Sequence, residues 1–244
     1  MLTYAEVRGN QRRCLALTGL TPSVFDLLLP AFDRCCERLY TADRTLAGRP
    51  RQRFPGGGRT GALHAPEQKL LFLLVYLKTY PLQVVMAELF GLSQPRVNCW
   101  LRRLLPIVRD ALDDLGARPE REGSAFPRPG APGTPGPRLI IDGTERRRQR
   151  PKNPEKQAAH SSGRKKTHSD KNVVVVEARS KRVGFLSGTY VGRAADKGIA
   201  DHEGIAYPPG TTLYKDSGFQ GYEPAGTKTC QAKKKAGRWR AERG

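Results

Sequence analysis

Apolar residues recur three and four positions apart through much of the first 115 residues, which is the period of an amphipathic helix. One such stretch covers residues 20–40, where the Thr-Pro pair at 21–22 supplies a candidate N-cap and a first helical residue. The pattern returns over residues 67–115. Residues 41–65 between them are rich in Arg, Gly and Pro and predict a basic loop. We therefore expect an all-helical N-terminal domain.

The pattern changes after residues 116–137, where Pro and Gly are too dense for packed secondary structure and predict a linker. Short β-branched runs follow and predict strands. The predicted strands lie in "RLIID", "KNVVVVEA", "RVGFLSGTYV" and "TTLYKDSGFQGY". A short helix is predicted between Ala194 and His202. The chain as a whole is thus predicted to be α+β, with the helical domain followed by part of an α/β layer.

The net charge of the chain indicates what kind of molecule it binds. Lys and Arg number 43 against 23 Asp and Glu, which gives a formal net charge of +20. So large an excess excludes an ordinary metabolic enzyme and indicates a polyanion, most often nucleic acid. A solvated basic surface is the alternative, and the clustering of the charge favours nucleic acid.

Cysteine usage and hydropathy exclude two further classes. The 5 cysteines form no C-x-x-C pair and none lies near His at zinc spacing, so a structural zinc site is not expected. The longest apolar run, residues 70–77, is far short of the roughly 20 residues that span a membrane. With no signal-peptide pattern at the N-terminus, we expect a cytoplasmic, nucleoid-associated protein that does not enter a membrane.

A helix-turn-helix is predicted at about residues 67–106. Such units need a small residue in the first helix, Gly in the turn and an apolar residue on the inner face of the second helix. Ala87, Gly91 and Val97 supply these residues in this order. Ser93 is a candidate N-cap of the second helix. The alternative is an ordinary helical hairpin with a basic solvent face.

Several polar side chains of the predicted second helix fall on its outer face. Gln, Asn and Arg at such positions read base edges in a major groove. Trp100 and Leu101 are expected in the core. Which of the outer residues touch bases stays open. The candidate DNA contacts are Gln94, Arg96, Asn98, Arg102 and Arg103.

Two aspartates in the second half each end a predicted strand. Asp142 ends "LIID", Asp216 ends "TTLYKD", and small residues follow both. Two carboxylates on neighbouring strands can share divalent ions in nucleotidyl transfer, and Mg²⁺ prefers such hard oxygens. A strand-end Asp is also a common turn former, so this pattern leaves both roles open. The remaining acidic residues considered, which are predicted to be solvated or in surface pairs, are Glu145, Glu155, Asp170 and Glu177.

The order of the motifs resembles the catalytic core of DDE transposases, in particular the insertion-sequence-five family of bacterial insertion sequences, which is related to Harbinger elements. The matching motifs are "DGT" at 142–144, "RP" at 150–151, "SGRKKTH" at 162–168 and "DSGFQGY" at 216–222. The N-terminal half also resembles the helix-turn-helix domain that precedes this core. The resemblance covers nearly the whole chain.

The resemblance implies a partial ribonuclease H-like domain with a mixed sheet over residues 138–235, followed by a basic tail at 236–244. Asp142 would lie on the first strand and Asp216 on the fourth, and both would bind Mg²⁺ or Mn²⁺. The implied reaction is hydrolysis at the ends of the element, then attack of the freed 3′-hydroxyl on target DNA. Asp196 matches a family position at the start of a helix, and we interpret it first as a helix N-cap and second as a metal neighbour.

A DDE site needs a third acid on a later helix. Only Glu223 and Glu242 follow Asp216. Glu223 follows too closely and Glu242 lies in a basic tail, so we expect truncation or a frameshift just past Lys235. A second polypeptide or frameshifted extension would then complete the core, whereas a decayed copy would be a catalytically inactive DNA-binding fragment or regulator. Little strand transfer is expected from this chain alone, and a homo-oligomer stays open.

Basic residues surround the two aspartates in the sequence. They are expected to neutralise phosphates and hold DNA at the metal site, with strong salt dependence. Lys165, Lys166 and His168 are the candidates nearest the scissile phosphate, and a purely electrostatic face is the alternative for any one residue. The basic set is Arg146, Arg147, Arg148, Arg150, Lys152, Arg164, Lys165, Lys166 and Lys171.

Overall fold

The structure, a computed structural model, divides into two compact units, Met1–Arg118 and Pro119–Gly244. Each unit has its own hydrophobic core and is described by itself. The residues that the structure describes are 1–41, 48–50, 52, 61–126, 136–162 and 166–231.

The first unit is helical, as predicted. Its helices are α1 (Tyr4–Arg8), α2 (Gln11–Thr18), α3 (Pro22–Thr41), α4 (Pro66–Thr79), α5 (Gln83–Phe90) and α6 (Gln94–Asp114). The apolar run at residues 70–75 of α4 is entirely buried, which makes this helix the centre of the core.

In the described part of the chain no single helix is long and apolar enough to cross a membrane. One pair bent by 54°, Gln11–Thr18 with Pro22–Leu39, meets that requirement by length and composition alone.

Local capping explains where the first helices begin. The Thr3 side chain accepts from the Glu6 amide while Glu6 caps the Thr3 amide in return, which forms a capping box. Thr21 accepts from the Val24 amide at 3.4 Å, so the predicted N-cap of α3 is confirmed. These caps depend on residues only three positions apart, which is why the sequence alone locates them.

The second unit is built on one mixed sheet. Its strands are β1 (Arg138–Arg147), β2 (Ser161–Ser162), β3 (Thr167–Glu177), β4 (Val183–Leu186), β5 (Tyr190–Val191), β6 (Thr211–Lys215) and β7 (Thr227–Gln231), and its helices are α7 (Pro154–His160) and α8 (Asp196–Glu203). The strand order is β2-β3-β1-β6-β7, and β4 and β5 also pair with β3. β1 runs antiparallel to β3 and parallel to β6, and β6 runs parallel to β7.

These strands confirm the predicted α+β class and the mixed sheet, but the sequence located only part of it. It predicted four strands, whereas the described residues form seven. β2 and β5 are two residues long, too short to give a β-branched run. β7 consists of "TKTCQ", in which no strongly apolar alternation marks a strand.

One face of the sheet packs against α8. Alternation along β1 turns Leu139 and Ile141 into this core, where they join Leu213 of β6. Ile199 and Ala200 of α8 cover them. Residues at even positions of β1, which include Asp142, therefore point to the opposite face.

Residues 119–126 belong to the second unit, although they lie in the segment predicted as a linker. Phe126 is buried, with its ring centroid 5.8 Å from that of Phe185. The Glu120 amide donates to the Gly184 carbonyl at 2.7 Å and the Glu120 carbonyl accepts from the Leu186 amide at 3.0 Å. One aromatic anchor and two backbone hydrogen bonds thus pack a stretch whose composition is otherwise typical of a linker.

Candidate active site and nucleic-acid interface

The sheet brings the two predicted metal ligands side by side. The parallel register of β1 and β6 ends at the pair Ile141–Lys215, and Asp142 and Asp216 are the next residues on the two chains. Neighbouring strands lie about 4.8 Å apart, so the two aspartate backbones are adjacent. Ile141 and Lys215 are buried in the core face. Asp142 and the extended Asp216 therefore turn towards the other, open face.

The prediction that both aspartates end a strand is correct only for Asp216. Asp142 lies inside β1, which continues to Arg147. The strand is longer than its apolar run because β3 pairs with it in register from Glu177 back to Ser169. Backbone pairing with a long partner thus carries β1 through a polar, basic stretch that the hydrophobic pattern does not mark.

Both carboxylates are exposed and each is held by a glycine amide. Oδ1 of Asp142 accepts from the Gly143 amide at 2.8 Å, and Oδ1 of Asp216 accepts from the Gly218 amide at 2.8 Å. Within the described ranges neither carboxylate forms an ion pair. Paired hard oxygens with room for water and phosphate fit the preferences of Mg²⁺. The residues present therefore suit a divalent ion.

Asp196 was predicted to be a helix N-cap, and that prediction is wrong. Ala195 occupies the N-cap of α8 and makes no side-chain capping bond, while Asp196 is the first helical residue. Its carboxylate instead lies against the glycines that follow the two site aspartates, Gly143 in β1 and Gly218 in the turn after β6. A methyl group built on Gly143 would lie 2.4 Å from Asp196 Oδ1, and one on Gly218 would lie 2.8 Å from Oδ2. The second interpretation, a neighbour of the metal site, is the one that this placement favours.

Lys171 was predicted to contact DNA, and its burial contradicts that prediction. The residue is only 8% exposed on the core face of β3. Its Nζ lies 3.2 Å from Asp196 and 3.5 Å from Glu145, and it donates to the Ala194 carbonyl at 2.9 Å. The prediction that Glu145 is a surface group is also wrong, because its side chain is 9% exposed. Odd positions of β1 point inward, and the sequence pattern beyond the apolar run does not reveal this.

The acids that follow Asp216 do not complete the site. Glu223 pairs with the buried Lys215 at 2.5 Å and accepts from the Thr229 hydroxyl. The Lys215 ammonium, more than the Thr229 hydroxyl, lowers the pKa of Glu223. Glu242 and the predicted basic tail lie outside the described residues. Within the described residues no group of three or more His, Cys, Asp or Glu side chains is placed to hold a metal ion.

Three arginines of the basic run near the aspartates have side-chain partners, and one of these contacts is an ion pair. Its paired members are Arg146 with Asn172, Arg148 with Asp170 and Arg150 with Gln157. Asp170 is thus in a surface pair, as predicted. Arg147, Lys152 and Lys166 are exposed and available to a phosphate backbone. Arg164 and Lys165 lie outside the described residues.

The helix-turn-helix has the predicted internal contacts. Ala87 and Val97 are buried, and Gly91 adopts the left-handed conformation with φ +62°. The Gly91 amide donates to the Ala87 carbonyl, which ends α5 and starts the turn. Ser93 occupies the N-cap of α6, but its side chain makes no capping hydrogen bond, so that part of the prediction is wrong.

The predicted recognition residues line the outer side of α6. Arg96, Arg102 and Arg103 are exposed. Gln94, also exposed, donates to the Gln83 side chain at 2.6 Å, and Asn98 is half-buried. Leu101 is buried and Trp100 packs against the core, as expected. The Arg103 guanidinium lies 5.2 Å from the Trp100 ring centroid, a cation–π contact that holds this arginine near the helix surface.

A helix-turn-helix and a mixed sheet that pairs two aspartates define a protein with a DNA-binding unit and a nuclease-type unit. Comparison with protein families gives the same division. A model described as helix-turn-helix of DDE superfamily endonuclease matches residues 61–114, and one described as DDE superfamily endonuclease matches residues 141–242. The chain belongs to the DDE superfamily of transposase-like endonucleases. No curated protein and no solved structure matches it.

Proposed function

We propose that the protein is an insertion-sequence transposase that binds the terminal DNA of its element and cleaves it with a divalent metal ion held by Asp142 and Asp216. The observation that carries this proposal is the adjacency of two exposed, unpaired carboxylates on neighbouring parallel strands. DDE superfamily endonucleases generally depend on divalent metals. Mg²⁺ and Mn²⁺ are the ions that suit these ligands.

The residues of the site have separable tasks. Gly143 and Gly218 amides hold one oxygen of each aspartate, which leaves the other oxygen of each for the ion. A bound divalent ion would activate the attacking oxygen and stabilise the leaving one. Arg147 and Lys166, exposed beside β1 and β3, would attract the phosphate backbone.

Recognition of the DNA ends is assigned to the start of α6. In helix-turn-helix proteins the first residues of the second helix contact base edges in the major groove. We assign this role to Arg96, which is exposed, and to Asn98, which is half-buried; Gln94 would exchange its bond to Gln83 for a base. Arg102 and Arg103, further along the helix, would contact phosphates.

A second candidate is a DNA-binding regulator of the transposase type without cleavage activity. It is favoured by the absence of a three-ligand group among the described residues. Cleavage would then need a third acid from outside the described residues, such as one supplied by a second polypeptide or another copy of the chain. DNA binding is common to both candidates, so cleavage distinguishes them.

The test combines binding and nicking by the full chain. Binding to duplex DNA would be measured by fluorescence anisotropy, and nicking of supercoiled plasmid in Mg²⁺, Mn²⁺ or EDTA by gel. Metal-dependent nicking that Asp142→Ala and Asp216→Ala each abolish, with binding retained, supports the endonuclease. Asp201→Ala, an exposed change on α8, is the matched control. Binding without nicking supports the regulator. If the wild-type chain neither binds nor nicks DNA, both candidates are contradicted.

A further inference from the structure

Asp196 fills the space between Gly143 of β1 and Gly218 in the turn after β6, each of which lies beside a site aspartate. The positions a methyl group would take on Gly143 and Gly218 lie 2.4 and 2.8 Å from its carboxylate oxygens, inside van der Waals contact. The position beside Gly218 also lies 3.1 Å from Asp216 Oδ1. Neither glycine has a positive φ. Glycine is therefore needed at both positions for the space that Asp196 occupies, not for an unusual backbone conformation.

Lys171 holds the Asp196 carboxylate from the sheet. Its Nζ lies 3.2 Å from Asp196 Oδ1 and also donates to the carbonyl of Ala194, which is two residues before Asp196 in the chain. Asp196 Oδ1 is buried and accepts no hydrogen bond from any described residue, so the nearby charge of Lys171 is what compensates its burial. Glu145 on β1 lies on the other side of the ammonium at 3.5 Å. The carboxylate is thus tied to β1 and β3 through one buried cation.

We propose that Asp196 is a positioning residue of the two-aspartate site, which rests on the proposed function. Its carboxylate, held by Lys171, packs against Gly143 and Gly218 and fixes the backbone of β1 and the turn after β6 at one separation. The amides of Gly143 and Gly218 orient Asp142 and Asp216 respectively, because each donates a hydrogen bond to one of these carboxylates. Two exposed carboxylates that repel one another would otherwise separate in the absence of the ion.

The consequence is a pre-formed spacing of the metal ligands. Groups behind a metal site that orient its ligands contribute about 10–100-fold to metal affinity. Asp196 would act in this way through shape and packing. Asp196→Asn, which keeps the shape of the side chain, should therefore keep much of the metal affinity, whereas Asp196→Ala should not.

The test measures Mn²⁺ affinity of the full chain without DNA, from the electron paramagnetic resonance signal of free Mn²⁺. Asp196→Ala should bind at least tenfold more weakly than wild type, and Asp196→Asn should lie within about fivefold of it. Gly143→Ala should also lose at least tenfold, because its methyl group displaces the carboxylate while all charges remain. Circular dichroism melts identify variants that are folded at the assay temperature, and Asp201→Ala is the control on the same helix.

The outcomes separate this proposal from the function on which it rests. Wild-type affinity in a folded Asp196→Ala or Gly143→Ala variant overturns the positioning role. A loss in Asp196→Asn as large as that in Asp142→Asn also overturns it, since Asp196 would then be a direct ligand. If Asp142→Ala and Asp216→Ala leave Mn²⁺ binding unchanged, the metal site itself is wrong. If Asp196→Ala is unfolded, Gly143→Ala and Asp196→Asn decide the question.

Discussion

Replacement of Arg102 and Arg103 by Ala tests the assignment of α6 as the DNA-contacting helix. Both side chains are exposed, and neither forms an ion pair with a described residue. Each should neutralise one phosphate and release its counterions. Each phosphate contact contributes about 0.9 to the slope of log affinity against log salt, so the double variant should have a slope about 1.8 units shallower. At 0.1 M salt this corresponds to roughly 60-fold weaker binding.

Fluorescence anisotropy of a labelled duplex, titrated at several NaCl concentrations, measures this slope. Arg109→Ala is the matched control, because Arg109 lies on the same helix and is paired with Asp110 at 3.3 Å. Its removal should change the slope by much less than the roughly 0.9 units of one phosphate contact. The comparison separates a local contact from a general loss of positive charge.

A specific result would refute the assignment. If the double variant keeps the wild-type slope, α6 does not contact the DNA backbone through these arginines. If Arg109→Ala shifts the slope by half as much as the double variant does, the binding reflects net charge and not a recognition helix. Either result can be interpreted only if the variant melts at the same temperature as the wild type. We expect equal melting temperatures, because both arginines are exposed.

Three further predictions concern the stability of the units. Lys171→Met removes the buried ammonium that lies within 3.5 Å of both Glu145 and Asp196 and should lower the unfolding free energy by about 3 kcal/mol in urea titrations; an unchanged midpoint would contradict the buried network. Gly91→Ala forces a side chain into the left-handed region at φ +62° and should cost about 1–2 kcal/mol, measured by thermal denaturation. Burial raises the pKa of the Cys36 thiol to about 11, so its contribution to stability is complete below pH 9.0 and is lost as pH rises through 11. Iodoacetamide at pH 8 should therefore modify the exposed Cys99 and spare Cys36 until urea unfolds the chain, as read by mass spectrometry.

Much of the helical unit could be predicted from the sequence, because its signals are local. Thr21 as the cap of α3, the buried Val97 and the left-handed Gly91 each follow from residues within one or two helical turns. The ordered aspartate and glycine motifs likewise indicated the family that the domain comparisons show. Ser93 was a failure of the same local reasoning, since its position is that of a cap but its side chain makes no capping bond.

Long-range pairing decided what the sequence pattern missed. The sequence placed Asp142 at a strand end, and only the register with β3 shows that the strand continues past it. Lys171 and Glu145 are among basic and polar neighbours that look solvated in the sequence. Their burial is set by which face of the sheet each position occupies and by α8 packing on that face.

The sequence by itself determined the two types of unit, the helix-turn-helix and the pair of aspartates, because periodicity and motif order are properties of neighbouring residues. Only the tertiary structure decided that Asp142 and Asp216 are adjacent and that Asp196 lies behind them. Those facts depend on the parallel register of β1 with β6 and on the position of α8, which join residues more than fifty positions apart in the chain. A buried cation such as Lys171 is understood only once the carboxylates that surround it have been brought together by that packing.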